Sequence, residues 1–443
     1  MNLNPLVLPG CAVAILASVW GMERISDRTE PPGPIHIAYW EKWTGFERDA
    51  MQAVVDDFNK SQNRIHVDLV ATSDVGNKTM FAVSAGCPPD VAGLWGDNVA
   101  HYADDRAVIP LDDFCRQYGI TAADYIPCYW KLVNYDGHTW ALPSTPSSSA
   151  LHYNTALLRK LGFDPDRPPK TIEELTRMSD AMTFKKNGHL EKAGFMPSQP
   201  GNWNWGWGYL FGGKLWDGED KITTDTPENI RAFDWIQSFS RKFGRGEAEA
   251  FKNSFGNVAS PQNPFIAGQV VFELEGVWTH NFVHKYAPDI KLGVAPFPYP
   301  ADRPDLAGST FVGEDILCIP RGAPHPKEAF EFIRFVQTQP EMEKLCLLQE
   351  KNSPLDKVSD HFWKVHGNPN IHIYDELARG KNTIRMPQMG IWPEFSEELE
   401  NTFDEISLMD VTPKQALRDL QVTMQSKLDR YNARLEERRR LGL

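Results

Sequence analysis

The sequence of 443 residues predicts an α/β protein built on a parallel sheet covered by helices. Three neighbouring segments carry that expectation. Ile35-His-Ile-Ala-Tyr-Trp40 is an apolar run of strand length, and Ile65-His-Val-Asp-Leu-Val70 alternates apolar with polar residues. Between them Phe46, Ala50, Ala53, Val54 and Phe58 recur at helical spacing over residues 46–59. Strand, helix and strand in that order form a βαβ unit, whose crossover puts the two strands parallel in one sheet.

The pattern continues along the chain. Residues 90–95 read as a short buried strand after the turn Gly86-Cys-Pro-Pro89, and Leu111 begins a helical stretch. A strand is expected at 138–142, bounded by Asp136-Gly137 and Pro143, and another at 150–154, followed by a helix at 155–161. Thr171-Ile-Glu-Glu174 is a capping box, in which hydroxyl and carboxylate satisfy free amides at a helix start. Strands follow at 270–274, 291–295 and 310–319. Residues 327–337 form an amphipathic helix, and 413–440 a helix with a strongly charged end. There is no internal repeat.

Ahead of this body, no Lys, Arg, Asp or Glu occurs before Glu23, and Ala12 to Ala17 is the longest apolar run there. The run is too short for a confident membrane span. A secretory leader fits better, with small residues at 17–21 available for cleavage; an uncleaved anchor is the alternative, because Arg24 and Arg28 follow the run. Leu8-Pro9-Gly10-Cys11 superficially resembles a lipoprotein box, yet most of the apolar run follows the cysteine instead of preceding it. Glu30-Pro-Pro-Gly-Pro34 is a stiff linker, so residues 1–34 are expected to be leader or anchor plus linker.

Lys plus Arg number 46 against 59 Asp plus Glu, a net charge of −13, which repels phosphate backbones and anionic lipid. Nucleic acid is therefore excluded as the main partner. Beyond Cys11 the cysteines are Cys87, Cys115, Cys128, Cys318 and Cys346, and none forms a CxxC pair. Their spacing supports no metal, and no motif calls for a cofactor. Cys115 with Cys128, or Cys318 with Cys346, could pair in an exported chain; the simpler reading, that most are small buried residues, is preferred.

Five stretches, in order, carry a family resemblance. They are Gly86-Cys-Pro-Pro-Asp-Val91 with Trp95; Gly137-His-Thr-Trp-Ala-Leu-Pro143; Leu151-His-Tyr-Asn154 with Pro168-Pro-Lys-Thr-Ile-Glu-Glu-Leu175; Phe265-Ile-Ala-Gly-Gln-Val-Val-Phe272 leading to Gly276-Val-Trp278; and Ile319-Pro-Arg-Gly-Ala-Pro-His-Pro-Lys-Glu-Ala-Phe-Glu-Phe332. With them the chain resembles the extracellular solute-binding proteins of carbohydrate ABC importers, the maltose- and multiple-sugar-binding type. The resemblance implies a two-lobed periplasmic-binding-protein fold with hinge strands between the lobes. Lobe 1 would comprise residues 35–148 and 312–358, and lobe 2 residues 149–311 and 359–443, with crossings near 149–154 and 310–313. It also implies an exported chain that binds a sugar or oligosaccharide between the lobes and hands it to ABC transporter permease subunits.

Sugars offer apolar C–H faces and a rim of hydroxyls, so a site needs aromatic platforms and planar polar groups. Trp40, Glu41 and Trp43 follow the first strand, where doubly wound sheets place ligand loops; alternatively Trp40 is core and Glu41 solvated. Trp95, Asp97 and Asn98 follow another strand, unless the two polar residues serve a turn or cap. Trp203-Asn-Trp-Gly-Trp207 puts three indoles on one side if extended, and only some of them if a helix starts there. The resemblance places a stacking aromatic at Trp203, with Trp205 as second choice, and two more at Trp278 and Trp392; ordinary core packing is the competing reading for each. Glu275 and, more weakly, Glu314 are candidate hydrogen-bonding groups for the ligand. Glu273 and Glu275 share a strand face, and such a pair would serve a secreted carbohydrate-active enzyme. No GxSxG, HExxH or P-loop supports other hydrolytic or nucleotide chemistry.

Overall fold

In the computed structural model the described residues are 33–199, 201–255 and 260–442. The expected leader, its anchor alternative, Cys11 and most of the linker lie outside them. The expected βαβ unit is present: β1 (Ile35–Glu41) pairs in parallel with β2 (Ile65–Ala71) across the helix Gly45–Ser61, and β1 pairs in parallel with β3 (Val91–Trp95). Ile37 and Tyr39 of β1 and Ile65 and Val67 of β2 point to one face and are buried with Val54, Phe58, Phe332 and Ile333. On the opposite face Ala92, Leu94, Tyr102 and Ile316 form a second apolar layer. Burial on both faces is what a parallel sheet requires.

A small hairpin, β4 (Asn134–Tyr135) and β5 (His138–Thr139), precedes the long strand β6 (Leu142–Asn154). The sequence pointed instead to two separate strands at 138–142 and 150–154. Pro143 bounded the first of them, because proline cannot donate to a ladder. Here Pro146 lies opposite Glu314 and Pro143 opposite Ile316, so Ser144 and Thr145 of β6 oppose the single Asp315 of β11, a bulge in β6 itself. That bulge absorbs the missing donors.

The second half of the sheet contains β7 (Phe184–Lys186), β8 (His189–Phe195), β9 (Val270–Gly276) and β10 (Leu292–Ala295). Its core gathers Leu151, Phe195 and Phe272 from the strands, Trp207, and Phe233, Phe403 and Leu417 from helices Pro227–Phe243, Trp392–Ser407 and Pro413–Arg440. The capping box at Thr171 and Glu174 starts the helix Ile172–Ala181 as expected.

Two antiparallel strands join the halves, β6 and β11 (Thr310–Cys318), and β12 (Thr383–Ile384) adds to the latter. The sheet runs β2-β1-β3-β11-β6-β9-β8-β7. Along β6 the partner changes: Leu142 to Ser148 face β11, and Ser149 to Tyr153 face β9. Two cores lie on either side of this crossing, so the molecule has two lobes. Phe362, four residues past the expected boundary at 358, packs in the first core. All five cysteines of the described residues are free thiols, four of them buried, so neither disulfide considered from the sequence forms. No described helix is long and apolar enough to cross a membrane.

Candidate functional site

The C-terminal ends of β1 and β3 point toward the second lobe. Their loops carry Trp43, Trp95 and Asp97 to one wall of a cavity of about 190 Å³ between the lobes. The middle of β6, at Thr145 to Ser147, and the facing part of β11, at Val312 to Asp315, run past it. Asn202, Trp203, Trp205 and Trp278 supply the facing wall from the second lobe. Ligand sites in open α/β sheets occupy this position, at strand ends and lobe boundaries.

The facing wall is a stack of rings. Trp203 lies nearly parallel to Phe311, with centroids 5.2 Å apart and 11° between planes, and to Trp278 at 6.1 Å and 18°. Trp205 tilts against Phe311 and meets Trp392 edge-on. Residues 204–206 form a single 3-10 turn running into the helix Trp207–Leu210, so the segment is not extended. Trp203 and Trp205 face the cavity, whereas Trp207 turns into the core against Phe195 and Phe297. Two glycines permit this packing. A Cβ at Gly206 would strike the Phe311 ring, and one at Gly276 would strike the Trp278 indole.

Opposite the rings the wall is charged. Asp315 accepts from Trp43 Nε1 and Thr145 Oγ1, each at 2.8 Å, and pairs with Lys42 at 3.1 Å and Lys351 at 3.9 Å. Burial alone would raise its pKa, but the two ammonium groups hold it below the usual carboxylate range. Lys351 also pairs with Glu47 at 2.8 Å, and Lys42 donates to the Leu94 carbonyl at 3.2 Å. Both ammonium groups lie over the Trp43 ring, 5.3 and 5.5 Å from its centroid, which adds cation–π attraction.

Glu314, the neighbour of Asp315, behaves oppositely. Its carboxyl is buried without a protein partner on either oxygen, and burial, reinforced by the Asp315 charge, pushes its pKa well up. Burial thus favours its neutral form, which can both donate and accept beside the cavity. Asp97 is raised by burial to about 6, against the pull of backbone amides and Lys42, and its Oδ1 is unpartnered. The Nε1 atoms of Trp203 and Trp205 are buried and unpartnered as well. Four cavity-lining residues thus carry buried polar atoms that the protein leaves unsatisfied. Such atoms are costly unless something else bonds to them.

Of the residues singled out from sequence, Trp43, Trp95, Asp97, Trp203, Trp205, Trp278 and Glu314 line this cavity. Trp40, Glu41, Asn98, Glu275 and Trp392 do not. Trp40 packs on the opposite sheet face from Tyr39, among the second apolar layer. Glu41 turns inward, accepting from Tyr39 Oη and the amides of Lys42 and Trp43, so it shapes the loop. Asn98 forms the end of a 3-10 turn. Trp392 is fully packed behind Trp205. Glu275, its pKa raised by burial to about 7, accepts both oxygens' bonds from Asn202 at 2.8 and 3.0 Å and so positions a cavity residue from behind.

Glu273 is buried with a strongly raised pKa, from burial and then the Glu275 charge, and does not line the cavity either. The two carboxyls therefore do not flank the space a sugar would occupy. Asp315, Lys351, Thr145 and Asn202 were not singled out. Adjacency to Glu314 was the available signal for Asp315, while the others reach the cavity only through the crossing of distant segments.

The sequence pattern of the bacterial extracellular solute-binding protein family matches residues 53–364. The chain is 22% identical to the maltotriose-binding protein of Pyrococcus abyssi over 361 residues, 80% of this chain and 75% of that protein. It is 21% identical to the sn-glycerol-3-phosphate-binding periplasmic protein of Pectobacterium atrosepticum over 406 residues, 86% of this chain and 88% of the other. Among solved structures, CpMnBP1 with mannobiose bound superposes with a TM-score of 0.78 at 25% identity, covering 88% of this chain and 99% of that one.

Proposed function

The chain belongs to the bacterial extracellular solute-binding protein family, and from this premise we propose that it captures a neutral sugar or oligosaccharide between its lobes for an ABC importer. It is a binding protein and not an enzyme, as its family and the similar proteins are. The observation that carries the ligand class is the pairing of a ring stack with buried, unpartnered polar atoms on Asp97, Glu314, Trp203 and Trp205. Rings cover the C–H face of a sugar, and hydroxyls satisfy the waiting donors and acceptors.

The similar proteins bind either sugars or glycerol phosphate, and charge separates the two chemistries. Both lysines near the cavity are already matched by Asp315, Glu41 and Glu47. Among the described residues that line the cavity, Asp97, Glu314 and Asp315 are acidic and the one cation, Lys351, is already paired, so a phosphate would meet carboxyls there. A neutral polyol is therefore favoured.

The proposal includes the working cycle. Lobe 1 comprises 35–148 and 312–365, beyond the expected 358 because Phe362 packs in its core, and lobe 2 comprises 149–311 and 366–443, hinged where β6 changes partner at Ser148 and Ser149 and where β11 begins. Ligand draws the lobes together, and the closed form docks on permease subunits outside the cytoplasmic membrane. Export by the N-terminal leader, cleaved or retained as an anchor, completes the reading. Site residues are Trp43, Trp95, Asp97, Trp203, Trp205, Trp278 and Glu314, joined by Asp315 and Lys351.

Calorimetric titration with mannobiose, maltotriose and sn-glycerol-3-phosphate tests this, with solution scattering on the same samples. Binding of a neutral sugar, a smaller radius of gyration at saturation and no glycan turnover are expected. Binding of glycerol phosphate alone, or sustained release of sugar products, would overturn it.

A further inference from the structure

At the other end of β1, some seven residues or roughly 20 Å of strand from Trp43, a different chemistry is assembled. His36 of β1 and His66 of β2 are direct cross-strand partners, and Asp68 follows two residues on along β2. All three side chains therefore emerge from the same face of the sheet. The face opposite, with Ile37, Tyr39, Ile65 and Val67, is closed by helices. The histidine face is covered only further along, around Trp40 and Met80, and stays open to solvent here. Ala38 is the register partner of Asp68, so no large side chain crowds the carboxylate from β1.

One nitrogen from each imidazole and one carboxylate oxygen all lie within 4.8 Å of one another. His36 Nδ1 is 2.8 Å from Asp68 Oδ2, and His66 Nε2 is 3.5 Å from Asp68 Oδ1. Ligand bonds of about 2.0–2.2 Å put two donors on one tetrahedral ion at roughly 3.4 Å, within that range of separations. The sheet register holds the three Cα positions, so side-chain rotation alone converts the ion-paired arrangement into a ligand set. Two imidazoles and a carboxylate suit a transition metal ion, whereas calcium and magnesium prefer all-oxygen shells. The net charge of −13 raises the local cation concentration around the molecule.

We propose that His36, His66 and Asp68 form a surface site for one divalent transition metal ion of the zinc type, with water completing its coordination. The site is separate from the sugar cavity and does not depend on the function assigned to it. Cysteine spacing offered no hint of it, because its ligands are brought together by strand pairing across thirty residues.

The test uses protein without a histidine tag, stripped with EDTA and titrated calorimetrically with ZnCl2, with MgCl2 as the control. Wild type should take up one zinc per chain with no response to magnesium. His36→Ala and His66→Ala should each weaken zinc at least tenfold, while their melting curves in EDTA stay close to wild type because His36 is exposed and His66 is half-buried outside the apolar core. His280→Ala serves as the second comparison, since His280, His284 and Glu350 also bring two histidines to one carboxylate. Retained binding in His280→Ala is expected. No zinc uptake by wild type, unchanged zinc binding in both strand variants, or loss in His280→Ala alone would each overturn the proposal.

Discussion

Glu314→Gln should stabilise this protein, increasingly so as pH rises. The Glu314 carboxyl is buried, unpartnered and next to the ionised Asp315, and its pKa is raised by burial first and by that charge second. In the unfolded chain a glutamate releases its proton around pH 4.3. Above that pH the folded state keeps a proton that the unfolded state has lost, so wild-type stability falls as pH rises toward the folded pKa. The limiting slope is about 1.4 kcal/mol per pH unit.

Between pH 5 and pH 6 the unfolded glutamate is already mostly ionised, and the integrated loss is roughly 1.3 kcal/mol. Glutamine has the shape of the protonated acid and no proton to lose, so it escapes that slope. Urea denaturation of both proteins at pH 5 and pH 6 measures the difference. Glu273 is also raised, but it is present in both chains and cancels. The gap in favour of the variant should widen by roughly 1 kcal/mol over this interval. A gap independent of pH would mean that Glu314 is ionised in the folded protein, and the account of a neutral hydrogen-bonding group at the cavity would fail.

Three other substitutions test separate parts of the argument. Trp203→Ala removes a ring that both lines the cavity and stacks on Trp278 and Phe311, so sugar affinity should fall at least thirtyfold, about 2 kcal/mol, together with a lower melting temperature of the free protein. Intact affinity in what remains folded would make it a core residue only. Asp315→Asn leaves Lys42 and Lys351, whose side chains are only 2% and 3% exposed, without their shared counter-charge. Because Glu41 and Glu47 remain, a loss of about 2 kcal/mol in urea titration is expected, and an unchanged midpoint would sink the idea that Asp315 organises this wall.

Tyr431→Phe addresses the contact between lobes behind the cavity, where Tyr431 of the C-terminal helix and Tyr135 both donate to Asp104, at 2.6 and 3.0 Å. Losing one such half-buried bond costs about 1 kcal/mol. Affinity should therefore drop about fivefold and the free protein should scatter as a larger particle, provided this contact exists only in the closed form. Equal affinity and equal size would show that the contact does not bias closure.

Much of this molecule follows from local pattern. β1, the helix after it and β2 are readable because one face of each must be apolar, and period 3.6 or 2 records that need directly. The capping box at Thr171 and the boundaries of the C-terminal helix depend on residues within four positions, which is why they are legible. The aromatic candidates Trp43 and Trp95 were visible as indoles at strand ends, and Trp203, Trp205 and Trp278 through the family resemblance. Their side-chain directions were not visible. Trp203 and Trp207 are four residues apart, yet one faces the cavity and the other the core, because a 3-10 turn separates them.

By itself, then, the sequence determined the α/β class, the parallel start of the sheet, the anionic surface and the stock of aromatic and acidic groups available for a site. Tertiary structure decided which of those groups meet. It carried β6 through Pro143 and Pro146, because a bulge in β6 between them, opposite Asp315, removes the need for the missing donors. It turned Glu41 into a brace for its own loop and pushed the pKa of Glu314 up and that of Asp315 down, since protonation depends on burial and on neighbours distant in the chain. It also set His36 beside His66, a pairing that exists only through strand register. Short-range pattern reports which face of an element is apolar, and only packing determines what that face and its opposite encounter.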